Sequence, residues 1–400
     1  MKVSIISDTH FGYKWGEERG EDAFENAKEA FENSLDADLI ILPGDIFDRK
    51  IPKQEVLDRA AEVLSVAMEG ESDAEPDKEL GMHGNGIPVV AIHGTHERRP
   101  RSYTNPIELM DRTGQLYHLD NEKVIFEKDG EKVAVHGMSG VPERYAPKVL
   151  EKFDPEPVED AFNILVVHQS IEGFVYTSDD HDVLSLEDFP EGFDLIIDGH
   201  IHWYNLDRFN DPDREDEKPL VLPGSTVTTQ MRKVEAEKDK GFLMLDTETE
   251  ELDFRPLESP REVHYIELEV EGEPWTEVKE HAINELKQVG GEKPLVNLKI
   301  DGETEGRVNP RELKQMFRDE MFLNVNSSVD RTEISSESSL ESEKDPWTQG
   351  KEMLREQVEA DDLDLDEFLQ LLESGEVEGS IEKLKNTEFE ERQHDNEDTG

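Results

Sequence analysis

Val3-Ser4-Ile5-Ile6-Ser7-Asp8-Thr9-His10 opens the chain as a short apolar run that ends abruptly in two residues able to bind a metal ion. The same grammar returns along the chain. Leu39–Leu42 leads into Gly44-Asp45-Ile46-Phe47-Asp48, and Pro88–Ile92 into Gly94-Thr95-His96-Glu97. Asn163–Val167 leads into His168-Gln169, and Leu195–Ile197 into Gly199-His200-Ile201-His202. Short continuous apolar runs bounded by turn residues read as strands buried on both faces. Helices read at Glu21–Asn33 and Gln54–Met68, the second carrying Val56, Ala60, Val63 and Leu64 at helical spacing. Strands alternating with helices give an α/β layered fold around a largely buried sheet.

Further strands read at Lys132–His136, Pro219–Leu222 and Phe242–Leu245, and the polar, Gly-rich stretch Glu69–Gly86 reads as an exposed loop. Residues 1–258 form this first domain. A second, small α+β unit is expected over 262–330: strand Val263–Val270, helix Trp275–Gln288, strand Leu295–Ile300, helix Pro310–Met321 and strand Phe322–Val325. Residues 331–345, rich in Ser and Glu without periodicity, read as a linker. Pro346–Glu359 and Leu363–Ser374 read as two helices within a segment 346–385, and 386–400 as an acidic disordered tail.

Composition narrows the chemistry. The chain has 400 residues and no cysteine, so disulfides and thiolate metal sites are excluded. Any metal must sit among Asp, Glu, His, Asn and carbonyl groups. No stretch approaches the apolar length of a membrane span, and no signal-peptide pattern precedes the first strand, which favours the cytoplasm. The 98 acidic and 43 basic residues give a net charge of -55. Such a balance fits a disordered or solvating chain, but the regular apolar strands argue against that. Acids spread through every segment fit a protein adapted to a salty cytoplasm, and they oppose simple attraction to nucleic acid. Arg98, Arg99 and Arg101 follow the His96 motif, Lys14 and Arg19 follow Asp8–His10, and Arg49, Lys50 and Lys53 follow Asp48. Bases clustered after three motifs suggest a phosphate-facing rim.

Strand ends on one edge of an α/β sheet converge on a crevice, so these distant residues can meet. Imidazole with carboxylate favours Mn, Fe or Zn over Mg or Ca. Asp8 and His10, like His200 and His202, are spaced two apart, so each pair can reach one ion. Asp45 can bridge two ions through its two oxygens. Two metals about 3.5–4 Å apart clamp a phosphate and generate hydroxide near neutral pH. The expected ligands are Asp8, His10, Asp45, His168, His200 and His202. His93, His136, His181, His264 and His281 lack this setting and read as structural or surface residues. His93 and His136 lie on strands beside the site, where they can support it.

This set of motifs resembles the calcineurin-like metallophosphoesterases over roughly the first 250 residues. Ser7–Tyr13, Gly44–Asp48, His168–Phe174, Asp198–His202, Pro223-Gly224-Ser225-Thr226 and Lys240-Gly241-Phe242 resemble more narrowly the SbcD/Mre-type double-strand-break-repair nucleases. The resemblance implies a layered β-sandwich core with flanking helices, then a DNA-binding capping domain and C-terminal helices. It implies two Mn ions, one held by Asp8, His10, Asp45 and His202, the other by Asp45, His168 and His200. It gives His96 contact with the scissile phosphate and help to the leaving oxygen. Tyr13, Asp48, Arg98 and Arg99 are expected at the substrate. It further implies 3′-to-5′ exonuclease activity on double strands, endonuclease activity on single strands, a homodimer, and an SbcC/Rad-type coiled-coil ABC ATPase gripped by residues 346–385.

Two positions depart from that pattern. The family usually has Gly-Asn-His where this chain has Gly94-Thr95-His96, and the Asn oxygen is normally a ligand of the second metal, so Thr95 stands as its short replacement. Many relatives have His at the position of Asp48. Other readings are a phosphatase or small-molecule phosphodiesterase of the same fold, and a weakly active scaffold for the ATPase.

Overall fold

The computed structural model describes residues 1–78, 86–100, 102–174, 183–206, 219–305 and 309–332. Arg101, His181, most of the 331–345 linker, the helical segment 346–385 and the tail lie outside the described residues. In chain order the elements are β1 (Lys2–Ile5), α1 (Asp22–Glu32), β2 (Leu39–Pro43), α2 (Gln54–Leu64), β3 (Glu75–Pro76), β4 (Val89–Ile92), α3 (Pro106–Arg112), β5 (Tyr117–His118), β6 (Glu122–Lys128), β7 (Glu131–Gly137), α4 (Ala146–Phe153), β8 (Phe162–Val167), β9 (Leu195–Asp198), β10 (Leu220–Val221), α5 (Lys233–Ala236), β11 (Gly241–Asp246), β12 (Glu251–Pro256), β13 (Val263–Pro274), α6 (Trp275–Leu286), β14 (Leu295–Glu305), α7 (Pro310–Met316) and β15 (Phe322–Thr332).

Two six-stranded sheets, ordered β12-β11-β1-β2-β4-β5 and β10-β9-β8-β7-β6-β3, face each other. The alternation of side chains along each strand explains the layers. In β2, Leu39 and Ile41 point into the apolar cluster between the sheets, where Val3, Ile5, Val90 and Ile92 meet Val124, Val135, Ile164 and Ile197. Ile40 and Leu42 point the other way, into a second cluster with Phe24, Ala27 and Phe31 of α1 and Val56, Ala60 and Val63 of α2. A buried Phe31, at 0% exposure, is worth roughly 1.5–3 kcal/mol relative to an exposed one. The outer face of the second sheet is covered in the same way, with Leu150 of α4 packed against Leu165 and Ile196. This is the layered β-sandwich with flanking helices expected from sequence.

β1, β2, β4 and β5 pair in parallel, as do β7, β8, β9 and β10. The loops leaving the C-terminal ends of β1, β2, β4, β8 and β9 carry the five motifs, which is why those motifs converge.

The third sheet, β13-β14-β15, is wholly parallel, with α6 and α7 as its crossovers. Val278, Ala282 and Leu286 of α6 pack on Leu268, Val296 and Leu298. The unit expected as α+β thus alternates strand and helix, and its outer strands reach Pro274 and Thr332, beyond the expected Val270 and Val325. Its second helix stops at Met316, short of Met321. The expected helix to Met68 ends at Leu64 and continues as a 3-10 turn, Ser65–Glu69. The Glu69–Gly86 loop contains the two-residue β3, which pairs with β6. Among the described residues, no helix is long and apolar enough to cross a membrane.

Candidate metal centre

Asp8, His10, Asp45 and His200 all hold left-handed backbone, with φ of 49°, 46°, 47° and 68°. Asp and His tolerate this region better than most residues, and it turns each side chain sharply off its strand end. Glycines give the ligands room. A Cβ on Gly94 would meet Asp45 Oδ1 at 2.2 Å, and one on Gly199 would meet the Pro43 carbonyl at 2.2 Å and His168 Nδ1 at 2.5 Å.

The six expected ligands come together in two groups, Asp8 with His10 and His202, and Asp45 with His168 and His200. His10 Nε2 lies 3.2 Å from His202 Nε2, and both approach Asp8 Oδ1, at 3.9 and 3.7 Å. In the other group, His168 Nε2 lies 3.2 Å from Asp45 Oδ2. A third group, His10, Asp48 and His96, shares His10 with the first.

The electrostatics fit cations. Asp8 Oδ1 and His10 Nδ1 are buried without a hydrogen-bond partner. Burial, offset in part by His168, pushes the Asp8 carboxyl up to about 7. Burial pulls His10 down to about 3 and His200 to about 4, and holds His202 well below the usual imidazole range. The imidazoles are therefore neutral, the form that binds metal. His168 goes the other way. Burial opposes its proton, but Asp45 beside it holds the proton well above the ordinary pKa. Asp45 is kept well below its own, again against burial, by His168. A divalent cation between them would replace that proton.

Several supports come from residues distant in sequence. His168 Nδ1 donates to the Pro43 carbonyl at 2.8 Å, which fixes its ring. Thr229 Oγ1 lies 2.7 Å from His202 Nδ1. Glu97, fully buried, accepts the Phe47 amide at 2.6 Å and the Gly94 amide at 2.8 Å, tying the Asp45 loop to the His96 loop. Burial pushes its carboxyl up to about 8. Sequence reading passed over these three supporting roles, although Glu97 stands directly after His96.

His96 sits at the rim, with 43% of its side chain exposed. Its Nδ1 donates to the Asp48 carbonyl at 2.8 Å, and its Nε2 lies 3.8 Å from Asp45 Oδ2. Thr95 Oγ1 donates to Asp45 Oδ2 at 3.3 Å. An Asn amide oxygen reaches further than this hydroxyl, so Thr95→Asn is expected to leave the rate unchanged or raise it at low Mn2+. Rate titrated against Mn2+ checks this, and a large rise in the Mn2+ required would overturn it.

Each residue expected at the substrate has its own surroundings. The Tyr13 hydroxyl donates to the Thr229 carbonyl at 2.9 Å, and Asp48 Oδ1 lies 3.8 Å from His10 Nδ1. Arg98 is exposed. Arg99 donates to the Thr104 carbonyl at 2.8 Å and lies over the Tyr103 ring. Arg19, counted from sequence among the rim bases, is instead buried, bonded to Asp22 and the Thr228 carbonyl. His93 contacts His118 at 3.0 Å, and His136 packs edge-on against Phe193. A cleft of about 650 Å³ opens at the centre, lined by Asp45, Thr95, His96, His200 and His202. Phe174 lines it too, with Trp203, Arg232 and Lys233, none of these three singled out from sequence.

The Calcineurin-like phosphoesterase family matches residues 1–204. The DNA double-strand break repair protein Mre11 of Methanopyrus kandleri is 27% identical over 305 residues, covering 69% of this chain and 61% of that protein. The protein of the same name from Methanococcus maripaludis is 26% identical over 261 residues, covering 62% and 63%. The double-strand break repair protein MRE11 of Homo sapiens is 24% identical over 367 residues, covering 75% and 50%. The chain thus spans between half and two thirds of the length of these relatives.

Proposed function

Because this chain belongs to the calcineurin-like phosphoesterase family, we propose that it is the Mn-dependent DNA nuclease subunit of a double-strand-break repair complex. The observation that carries this reading is the pairing of two ligand groups, Asp8–His10–His202 and Asp45–His168–His200, at one cleft. Repair relatives that share the chain's length well past residue 204 favour DNA over a small phosphoester as substrate.

Asp8, His10, Asp45 and His202 would hold one cation, and Asp45, His168 and His200 the other. When bound, the two cations neutralise charge developing on the phosphate and make a water acidic enough to attack near neutral pH. His96 faces the scissile phosphate from the rim and donates toward the departing oxygen. Arg232, which lines the same cleft, supplies a cation for the phosphate backbone. Thr95 stays on Asp45, which leaves the second cation with fewer protein ligands than an Asn would give it.

The test is purified chain with Mn2+ on labelled single- and double-stranded DNA. Internal cuts in single strands and 3′-to-5′ shortening of duplex, both stopped by EDTA, are expected. Hydrolysis of small phosphoesters without cleavage of DNA would turn the reading to a small-molecule phosphodiesterase. No hydrolysis of either would turn it to a scaffold. The proposed complex also contains a second copy of this chain and a coiled-coil ABC ATPase of the SbcC/Rad type. Co-purification with that ATPase, lost on removal of residues 346–385, tests the partner.

We read the net charge of -55 as adaptation to a salty cytoplasm. Self-repulsion of a strongly charged chain weakens its compact state. Raising the ionic strength from 0.1 to 1 M shortens the screening length from about 10 to 3 Å. The melting temperature is therefore expected to rise with KCl across that range, and calorimetry showing a fall would contradict it. Salt at that level also weakens contacts to phosphate, so DNA binding would lean on the cations, on shape and on the ATPase.

A further inference from the structure

Lys240 lies behind the centre at 6% exposure, and its ammonium makes three hydrogen bonds. It donates to the His202 carbonyl at 2.6 Å, to Ser225 Oγ at 3.0 Å and to Glu235 Oε1 at 2.8 Å. All three of its protons are thereby used. The acceptors belong to separate stretches. His202 is on the loop after β9. Glu235 is on α5, which with Arg232 before it lines the cleft. The start of that wall is held from the third sheet, where Asn297 Nδ2 donates to the Met231 carbonyl at 2.6 Å and Glu267 accepts from Lys233 at 2.6 Å.

Filling this buried space would need only an apolar side chain. A buried ion pair is often no more stable than apolar residues of the same volume. Here the second Glu235 oxygen, Oε2, is also buried without a partner. The arrangement therefore has a poor rationale as a device for stability, and a better one as a device for orientation.

We propose that Lys240 is a positioning residue that sets two parts of the site at once, the backbone of His202 and, through Glu235, the cleft wall carrying Arg232. This rests on reading His202 as a metal ligand. Its two arms are separable, because one acts on cation affinity and the other on substrate affinity.

The experiment uses the full chain and two measurements: calorimetric titration with Mn2+ alone, and kcat and KM for bis(p-nitrophenyl) phosphate. Glu235→Leu releases the wall but leaves Lys240 on His202. It should keep Mn2+ affinity and raise KM about tenfold, the worth of one hydrogen bond from Arg232 to a charged phosphate that is lost when the wall moves. Lys240→Met with Glu235→Leu removes both charges together, leaving neither unpaired. It should in addition weaken Mn2+ binding by about 10- to 100-fold, as loss of a group that orients a ligand does. Wild-type Mn2+ affinity in the double variant would overturn the proposal, since the pair would then only neutralise itself. Should the double variant fail to show cooperative melting, Lys240→Gln with Glu235→Gln, which removes both charges but keeps a polar pair, takes its place, and wild-type Mn2+ affinity with wild-type KM there overturns the proposal. His202→Ala is the control: wild-type Mn2+ affinity there would mean the ligand reading had failed, and the inference with it.

Discussion

Asp45→Asn is expected to lose both cations and nearly all hydrolysis while still melting cooperatively. Asp45 is the residue proposed to serve both positions. Its Oδ1 accepts the His96 amide at 2.8 Å, and its Oδ2 faces His168 at 3.2 Å and takes the Thr95 hydroxyl at 3.3 Å. An amide of the same shape keeps the packing but removes the negative charge. It also puts two N–H groups where one oxygen would face a cation. Metal-ion stabilisation of a phosphoryl transition state is worth several kcal/mol, so the rate should fall by a factor on the order of 10³–10⁴. Metal analysis of the dialysed variant, with a DNA cleavage assay, checks this. A variant that retained both ions would show that Asp45 is not the bridge.

His96→Ala is expected to keep both cations and lower the rate by about 10²–10³, the usual effect of removing one donor aimed at the transition state. The geometry suits that role. The bond from Nδ1 to the Asp48 carbonyl fixes the ring, and the exposed position puts it at the mouth of the cleft. The third group of possible ligands, His10 with Asp48 and His96, sets the alternative. If the variant loses an ion together with its activity, His96 is a ligand and the donor role fails.

The convergence of the candidate ligands was legible because those residues announce themselves locally. One His or Asp at the end of an apolar run means little, since a packed or hydrogen-bonded side chain accounts for it. Five such runs, most of them with a glycine beside the polar residue, point to a shared ligand instead. Other elements were legible in principle and were passed over. Asn105-Pro106-Ile107-Glu108 is a helix start: the Asn105 side chain accepts the Glu108 amide, and Pro106 fits the first turn of α3. The alternation of Val124 and Phe126 in β6 marks a half-buried strand. The supports of the centre were beyond reach for a different reason. Thr229 and Lys240 reach His202, and Glu235 reaches Lys240, through contacts made only after the chain has folded back. A threonine or lysine in a polar loop gives no local sign of such a contact. Arg19 shows the converse, since a base beside a metal motif looks like a substrate contact until its burial is known.

The left-handed backbone at Asp8, His10, Asp45 and His200 has a consequence for how the protein can change over time. Non-glycine residues in that region cost of order 1–3 kcal/mol each. These four positions therefore work against folding in the cation-free chain, and cations bound there would offset the deficit by mass action. Selection for thermal resistance alone would drive glycine into such sites, and the gain would come with loss of the ligand. The centre and the scaffold are thus in competition, and a tougher version of this protein must find its added stability in the helices and sheets rather than at the strand ends.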